Sequence, residues 1–183
     1  LAKLASGDAP LAAFLGAVLD LSPFLRDFAR RRPQALDALF DAPLEDRLAA
    51  LLAGIAASGR RADQSEAGLM RELRELKGEA HFLIALADLA GEGGAEETVA
   101  RMSALADACI GTAIDFLLRD AHRAGKLALP DPDEPGRDSG WIVIGMGKLG
   151  ARELNFSSDI DLVVFVDVAA AAIADPLEAT ELF

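Results

Sequence analysis

Apolar residues recur at helical spacing through the first two thirds of the chain and at strand spacing only near its end. Asp8-Ala-Pro10 reads as a helix start, with Pro10 in the first turn. Leu11, Phe14, Leu15, Val18 and Leu19 then share one face. Pro23 and Pro33 open further short helices carrying Phe24, Leu25 and Phe28, then Leu36, Leu39 and Phe40. Pro43 starts a helix to about Ser58, just before Gly59. Ser65 begins a long helix through Leu89, stopped by Gly91, Gly93 and Gly94. A second long helix is predicted over 95–122 and ends at Gly125.

The pattern changes after Leu129-Pro-Asp-Pro-Asp-Glu-Pro-Gly-Arg-Asp-Ser-Gly140, a Pro/Gly/Asp linker. Beyond it, 141–144 reads as a strand, 147–154 as a short helix and 160–166 as a second strand. From Ala169 on, the sequence suits a helix or a loop. The expected organisation is a helical domain over 1–128, a linker over 129–140 and an α/β segment over 141–183. The fold class is therefore α+β and mostly helical, with an incomplete α/β core after the helices.

Composition narrows the functions open to the chain. With 183 residues, 52% of them hydrophobic, it can bury a real core. A net charge of −12 argues against non-specific nucleic-acid binding and against an anionic membrane surface as partner. No apolar run reaches membrane-spanning length, and no signal peptide is visible. The single cysteine, Cys109, sits between Ala108 and Ile110 and reads as a packed helix thiol, compatible with a reducing cytoplasm. Arg30-Arg31-Arg32 reads as a solvated helix end. His81 and His122 lack partners at metal-ligand spacing and read as structural helix residues. Because the chain starts at Leu1 and stops at Glu181-Leu-Phe183, it reads as a piece of a longer polypeptide.

The chemistry concentrates in Gly147-X11-Asp159-X-Asp161. Residues i and i+2 of a strand point to one face. Asp159 and Asp161 should therefore aim two carboxylates at one point, with Ile160 and Leu162 turned away. Paired hard oxygen ligands suit Mg²⁺, and a glycine turn can offer backbone N–H groups to phosphate. Together they are the minimum equipment for nucleotidyl transfer. A dinucleotide fingerprint competes, since Gly145-Met-Gly147-Lys148-Leu-Gly150 follows a strand and Asp167 ends the next one. Its crossover would need on the order of ten or more residues, and Asn155-Phe-Ser-Ser158 interrupts the helix too early. A Walker A loop fails because Lys148 is followed by Leu149. The plain alternative is a glycine turn with two aspartates capping or flanking a strand.

The wording Gly145-Met-Gly-Lys-Leu-Gly-Ala-Arg-Glu-Leu-Asn-Phe-Ser-Ser-Asp-Ile-Asp-Leu162 closely resembles the signature of the glutamine synthetase adenylyltransferase/adenylyl-removing family. That family belongs to the DNA-polymerase-β-like nucleotidyltransferases. The likeness is specific over about 141–167. It is diffuse in the helices, where Leu69-Met-Arg-Glu-Leu-Arg and the 105–116 stretch look like the region preceding such a site. Ala151 stands where the family often has glycine.

Family members carry two nucleotidyltransferase domains, and Glu153-Leu-Asn-Phe-Ser-Ser-Asp-Ile-Asp161 is similar to the N-terminal copy. The resemblance implies that this copy removes AMP from a tyrosine of glutamine synthetase, using phosphate and giving ADP, while the other copy adds AMP from ATP. It implies Asp159 and Asp161 as catalytic metal ligands for Mg²⁺, with Gly147, Lys148 and Ser158 on the nucleotide and phosphate side. A solvated Lys148, a turn-capping Ser158 and an Arg152–Glu153 surface pair stay open beside those roles. Glutamine synthetase would be the protein substrate, with a PII-type signalling protein and glutamine as regulators. The superfamily's third carboxylate is expected beyond Phe183, so the chain alone should bind Mg²⁺–nucleotide weakly and turn over nothing. Two alternatives remain: that the chain belongs to the adenylylating half, and that its helices act as a binding module without catalysis.

Overall fold

The computed structural model describes residues 9–39, 41–167 and 169–173. Its architecture is α+β and mostly helical. Six helices come first: α1 (Ala9–Leu21), α2 (Pro23–Arg31), α3 (Pro33–Asp37), α4 (Leu44–Ser58), α5 (Glu66–Ala90) and α6 (Ala95–Arg123). The caps explain several boundaries. Ser22 Oγ accepts from Leu25 N (3.3 Å) to start α2, and Ser65 Oγ accepts from Gly68 N (3.1 Å) to start α5. Gly91, at φ 77°, ends α5 in the left-handed conformation that glycine adopts without strain. At the start of α6, Glu97 Oε2 accepts from Gly94 N at 2.7 Å. Asp8 and Phe40, assigned to helices from the sequence, lie outside the described residues.

Two cores hold the helices together. Leu15, Val18, Leu25, Phe28 and Leu36 pack α1, α2 and α3 onto Phe82 and Leu86 of α5. Leu48 and Ile55 of α4 meet Leu83 and Ile84 of α5 and Met102 and Leu105 of α6. The arginine run sits at the end of α2, as the sequence suggests. Arg31 donates from Nε to Asp27 O (3.1 Å), and Arg32 pairs with Glu75 of α5 at 2.7 Å. No single described helix is long and apolar enough to cross a membrane.

After the linker come β1 (Trp141–Gly145), α7 (Gly147–Gly150) and β2 (Leu162–Val166). The strands pair antiparallel, with Trp141 opposite Val166, Val143 opposite Val164 and Gly145 opposite Leu162. A dinucleotide unit needs parallel strands, so this pairing removes that reading. Asp167 is also committed elsewhere: its Oδ1 accepts from Ala169 N (3.0 Å) and Ala170 N (3.3 Å). One sheet face, with Trp141, Val143, Leu162 and Val164, borders a cavity of about 100 Å³ against Ile114, Leu117 and Leu118 of α6. A third small core joins Leu118 and Ala121 to Leu127 and Leu129 of the linker region, with Trp141 packed against it.

Two element lengths differ from the sequence reading. The helix expected over 147–154 stops at Gly150, and Arg152 takes φ 60°. The strand expected over 160–166 begins only at Leu162. Local turn bonds, such as Glu153 N to Lys148 O (2.7 Å), and the long-range bond of Leu154 N to Ser103 Oγ (3.2 Å) take the place of regular helix bonds after Gly150.

Candidate functional site

The glycine turn is tightly determined. Gly147 opens α7 at φ 54°, a conformation that costs an L side chain on the order of 1–2 kcal/mol. Gly150 lies against the carbonyl of Gly145, where an added Cβ would collide with backbone. This contact folds α7 back onto the end of β1. Leu149 anchors the turn from below, buried in the core formed by α4, α5 and α6. The turn therefore rests on the helical part of the molecule as well as on the sheet.

Residues 151–161 are tied to α6 and to themselves. Arg152 pairs with Asp107 of α6 at 3.1 Å, which corrects the expected Arg152–Glu153 surface pair. Leu154 is buried in the same core as Leu149, and its N–H donates to Ser103 Oγ (3.2 Å). Ser103 Oγ donates in turn to Val99 O (2.8 Å). Asn155 forms the next knot: its Oδ1 accepts from Ser157 N (3.1 Å), Ser157 Oγ (3.1 Å) and Ser158 Oγ (2.8 Å). Ser158 Oγ also accepts from Asn155 N at 3.2 Å, so Ser158 holds the turn. Sequence reasoning missed Asn155, although Asn followed by two serines within three residues is a recognisable Asx-turn signal.

Beyond this knot the chain passes through Asp159 and brings Asp161 beside the glycine turn. Met146 N donates to Asp161 O at 2.8 Å, which extends the ladder one step beyond the strand ends. Asp161 thus adjoins the residue preceding Gly147. It has the parity of Val163 and Phe165, the sheet face turned away from α6. Asp159 lies before any strand pairing, so strand alternation does not set its direction. Both aspartates are exposed, and neither carboxylate has a hydrogen-bond or salt-bridge partner among the described residues. Lys148 is exposed in the turn, and its carbonyl accepts from Glu153 N (2.7 Å).

By donor type, the exposed carboxylates of Asp159 and Asp161 fit a hard divalent cation. Among the described residues, no group of three or more His, Cys, Asp and Glu side chains converges as a metal site. Asp175, Glu178 and Glu181 lie outside the described residues.

A cavity of about 250 Å³ opens beside this loop, between Asn155, Phe156, Ser158 and Ile160 on one side and Lys77, His81, Met102 and Cys109 on the other. His81 packs edge-on between Phe24 (6.2 Å) and Phe156 (5.9 Å). Burial, assisted by Lys77, lowers its pKa to about 4, so the ring is neutral near pH 7. Burial also pushes the Cys109 thiol up, with Lys77 opposing. Both residues are structural helix groups here, as their sequence context suggests.

The model of the glutamate-ammonia ligase adenylyltransferase family matches residues 12–181. A protein of Mesorhizobium japonicum is 63% identical over 183 residues, which cover 100% of this chain and 19% of the relative. One from Brucella suis is 54% identical over 172 residues, covering 94% and 18%. One from Rhizobium meliloti is 46% identical over 187 residues, covering 100% and 19%. All three are named bifunctional glutamine synthetase adenylyltransferase/adenylyl-removing enzyme. The chain thus spans about a fifth of the length of these curated relatives. No solved structure matches it. On its sequence, the chain belongs to the glutamate-ammonia ligase adenylyltransferase family.

Proposed function

We propose that this chain carries part of a nucleotidyltransferase site that acts on glutamine synthetase, in the half that removes AMP from an adenylylated tyrosine. The observation that carries the reading is the Met146–Asp161 backbone bond of 2.8 Å, which holds Asp161, exposed and with no side-chain partner among the described residues, next to the Gly147 turn. The relatives' names supply the protein substrate and both directions of transfer. The likeness of Glu153-Leu-Asn-Phe-Ser-Ser-Asp-Ile-Asp161 to the N-terminal copy supports the removing half.

In this reading a phosphate oxygen attacks the phosphorus of adenylyl-tyrosine. The bond from phosphorus to the tyrosine oxygen breaks, the phenolate takes up a proton, and ADP leaves. The demands on the protein are in-line alignment and relief of charge on the phosphorus oxygens. Asp159 and Asp161 would hold Mg²⁺, which supplies the charge neutralisation when bound. The turn at Gly147 would present backbone N–H groups to a phosphate, with Lys148 as a mobile point charge. Ser158, engaged with Asn155, would position Asp159 by fixing the loop before it. The third metal carboxylate, ATP/ADP binding and control by a PII-type protein and glutamine belong to the whole protein in this account.

The test uses the full-length protein. Asp159→Asn is expected to lower phosphate-dependent ADP release from adenylylated glutamine synthetase by about 10²-fold or more, and to spare adenylylation from ATP. Equal loss of both activities would contradict the assignment to the removing half. Retention of both would contradict the site.

A further inference from the structure

The far end of α6 carries a second concentration of polar chemistry. A cavity of about 400 Å³ opens between the residues after α4, the last turns of α6 and the linker. Arg60, Arg61, Arg119, Arg123 and His122 line it, and Asp133 is its one acidic wall residue. Four guanidinium groups around one cavity stand out in a chain of net charge −12. The volume falls in the range of small-ligand sites, roughly 300–1,000 Å³.

The local partners leave much of this charge unneutralised. Arg61 is held by Glu72, with Nη1 to Oε1 at 3.0 Å. Arg123 makes only long contacts, to Asp120 (3.3 Å) and Ala62 O (3.4 Å). Arg119 donates its Nε to Asp115 O (3.0 Å), and no salt bridge holds the rest of its fork among the described residues. The Arg60 N–H donates to Ala57 O (3.1 Å), while its guanidinium makes no hydrogen bond or salt bridge among the described residues and interacts with Asp115 only through its charge. Burial is the main influence lowering the Arg119 pKa; Asp115 and, more weakly, Asp133 oppose it, and Arg60 and Arg123 add like-charge repulsion. His122 Nδ1 accepts from Leu129 N at 3.2 Å, which fixes the ring against the linker.

We propose that this cavity binds a phosphate-type anion carried by a small soluble molecule, with Arg60, Arg119 and Arg123 as its ligands. A guanidinium fork matches phosphate oxygens two at a time, and a dianion would relieve the repulsion felt at Arg119. The site is separate from the glycine turn. Arg119 lies twelve residues along α6 from Asp107, the partner of Arg152, which is about 18 Å of helix at 1.5 Å per residue. The cavity is therefore a second phosphate locus rather than an extension of the first.

Calorimetric titration of the full chain tests this, in EDTA, at fixed ionic strength and in an Asp159→Asn/Asp161→Asn background that disables the other locus. Orthophosphate, pyrophosphate and ADP are the probes. Pyrophosphate should bind saturably, and Arg119→Gln should weaken it about 10-fold or more. Arg60→Gln, at an exposed position that leaves the fold intact, should do the same, while Arg30→Gln should change nothing. ADP binding as tightly as pyrophosphate would identify the phosphate chain as the ligand, and tighter ADP binding would identify a nucleotide. Non-saturable heats, or equal weakening by Arg30→Gln, would overturn the proposal.

Discussion

Ser103 is the residue through which α6 holds the loop that leads to the aspartates. Its hydroxyl is buried, accepts the Leu154 N–H and donates to Val99 O. Ser103→Ala should strand that N–H and cost about 1–3 kcal/mol in urea unfolding; an unchanged midpoint would contradict the link. Nothing local in the sequence marks Ser103, because its partner lies fifty-one residues away. The i, i+2 spacing of Asp159 and Asp161 does not by itself fix their directions, because β2 begins only at Leu162. The engagement of Ser158 with Asn155 was open until the Asn155 turn was seen. His81 gives a pH signature. Its folded pKa of about 4 lies below the ordinary 6.5, so the unfolded chain takes up the proton first. The contribution is complete above pH 6.5, falls as pH drops through the window and is lost below about 4. His81→Phe should flatten that part of the stability–pH curve, and identical slopes for both proteins would contradict it.

At the scale of elements, the close approach of α7 to β1 sets the geometry of the turn. Gly150→Ala would push a methyl group into the Gly145 carbonyl and should cost about 1–3 kcal/mol, as overpacking does. Gly16→Ala meets nothing within 4 Å and serves as the control; similar losses at both positions would contradict the packing argument. The long helices were readable because caps and periodicity agree, at Ser65 and Gly91 for example. The lengths of α7 and β2 were not. Leu149 and Leu154 are both buried although five residues apart, a spacing that does not keep two side chains on one helix face. The chain instead leaves the helix at Gly150, turns through Arg152 at φ 60° and secures Leu154 on Ser103. Long-range partners decided those boundaries.

Across the whole molecule, the two-stranded sheet is only partly covered: one face borders α6 yet leaves Leu162 and Val164 exposed, and the other faces away from α6. The open face carries Ile142 and Phe165, 52% and 54% exposed, with Ile144 and Val163 beside them. Such a patch on strand edges favours association. The chain should self-associate with rising concentration in sedimentation equilibrium, and Phe165→Lys should shift it toward monomer. A monomer at all concentrations would contradict this expectation. Asp161 shares the parity of this face, so it lies on the same side of the sheet as Val163 and Phe165. The most direct measurement is Mn²⁺-induced NMR line broadening on the chain, with Mn²⁺ standing in for Mg²⁺. The account predicts broadening centred on residues 145–150 and 158–162, abolished by Asp159→Asn/Asp161→Asn. Broadening centred instead on the acidic linker around Asp131, Asp133 and Glu134, and unchanged in the double variant, would contradict it.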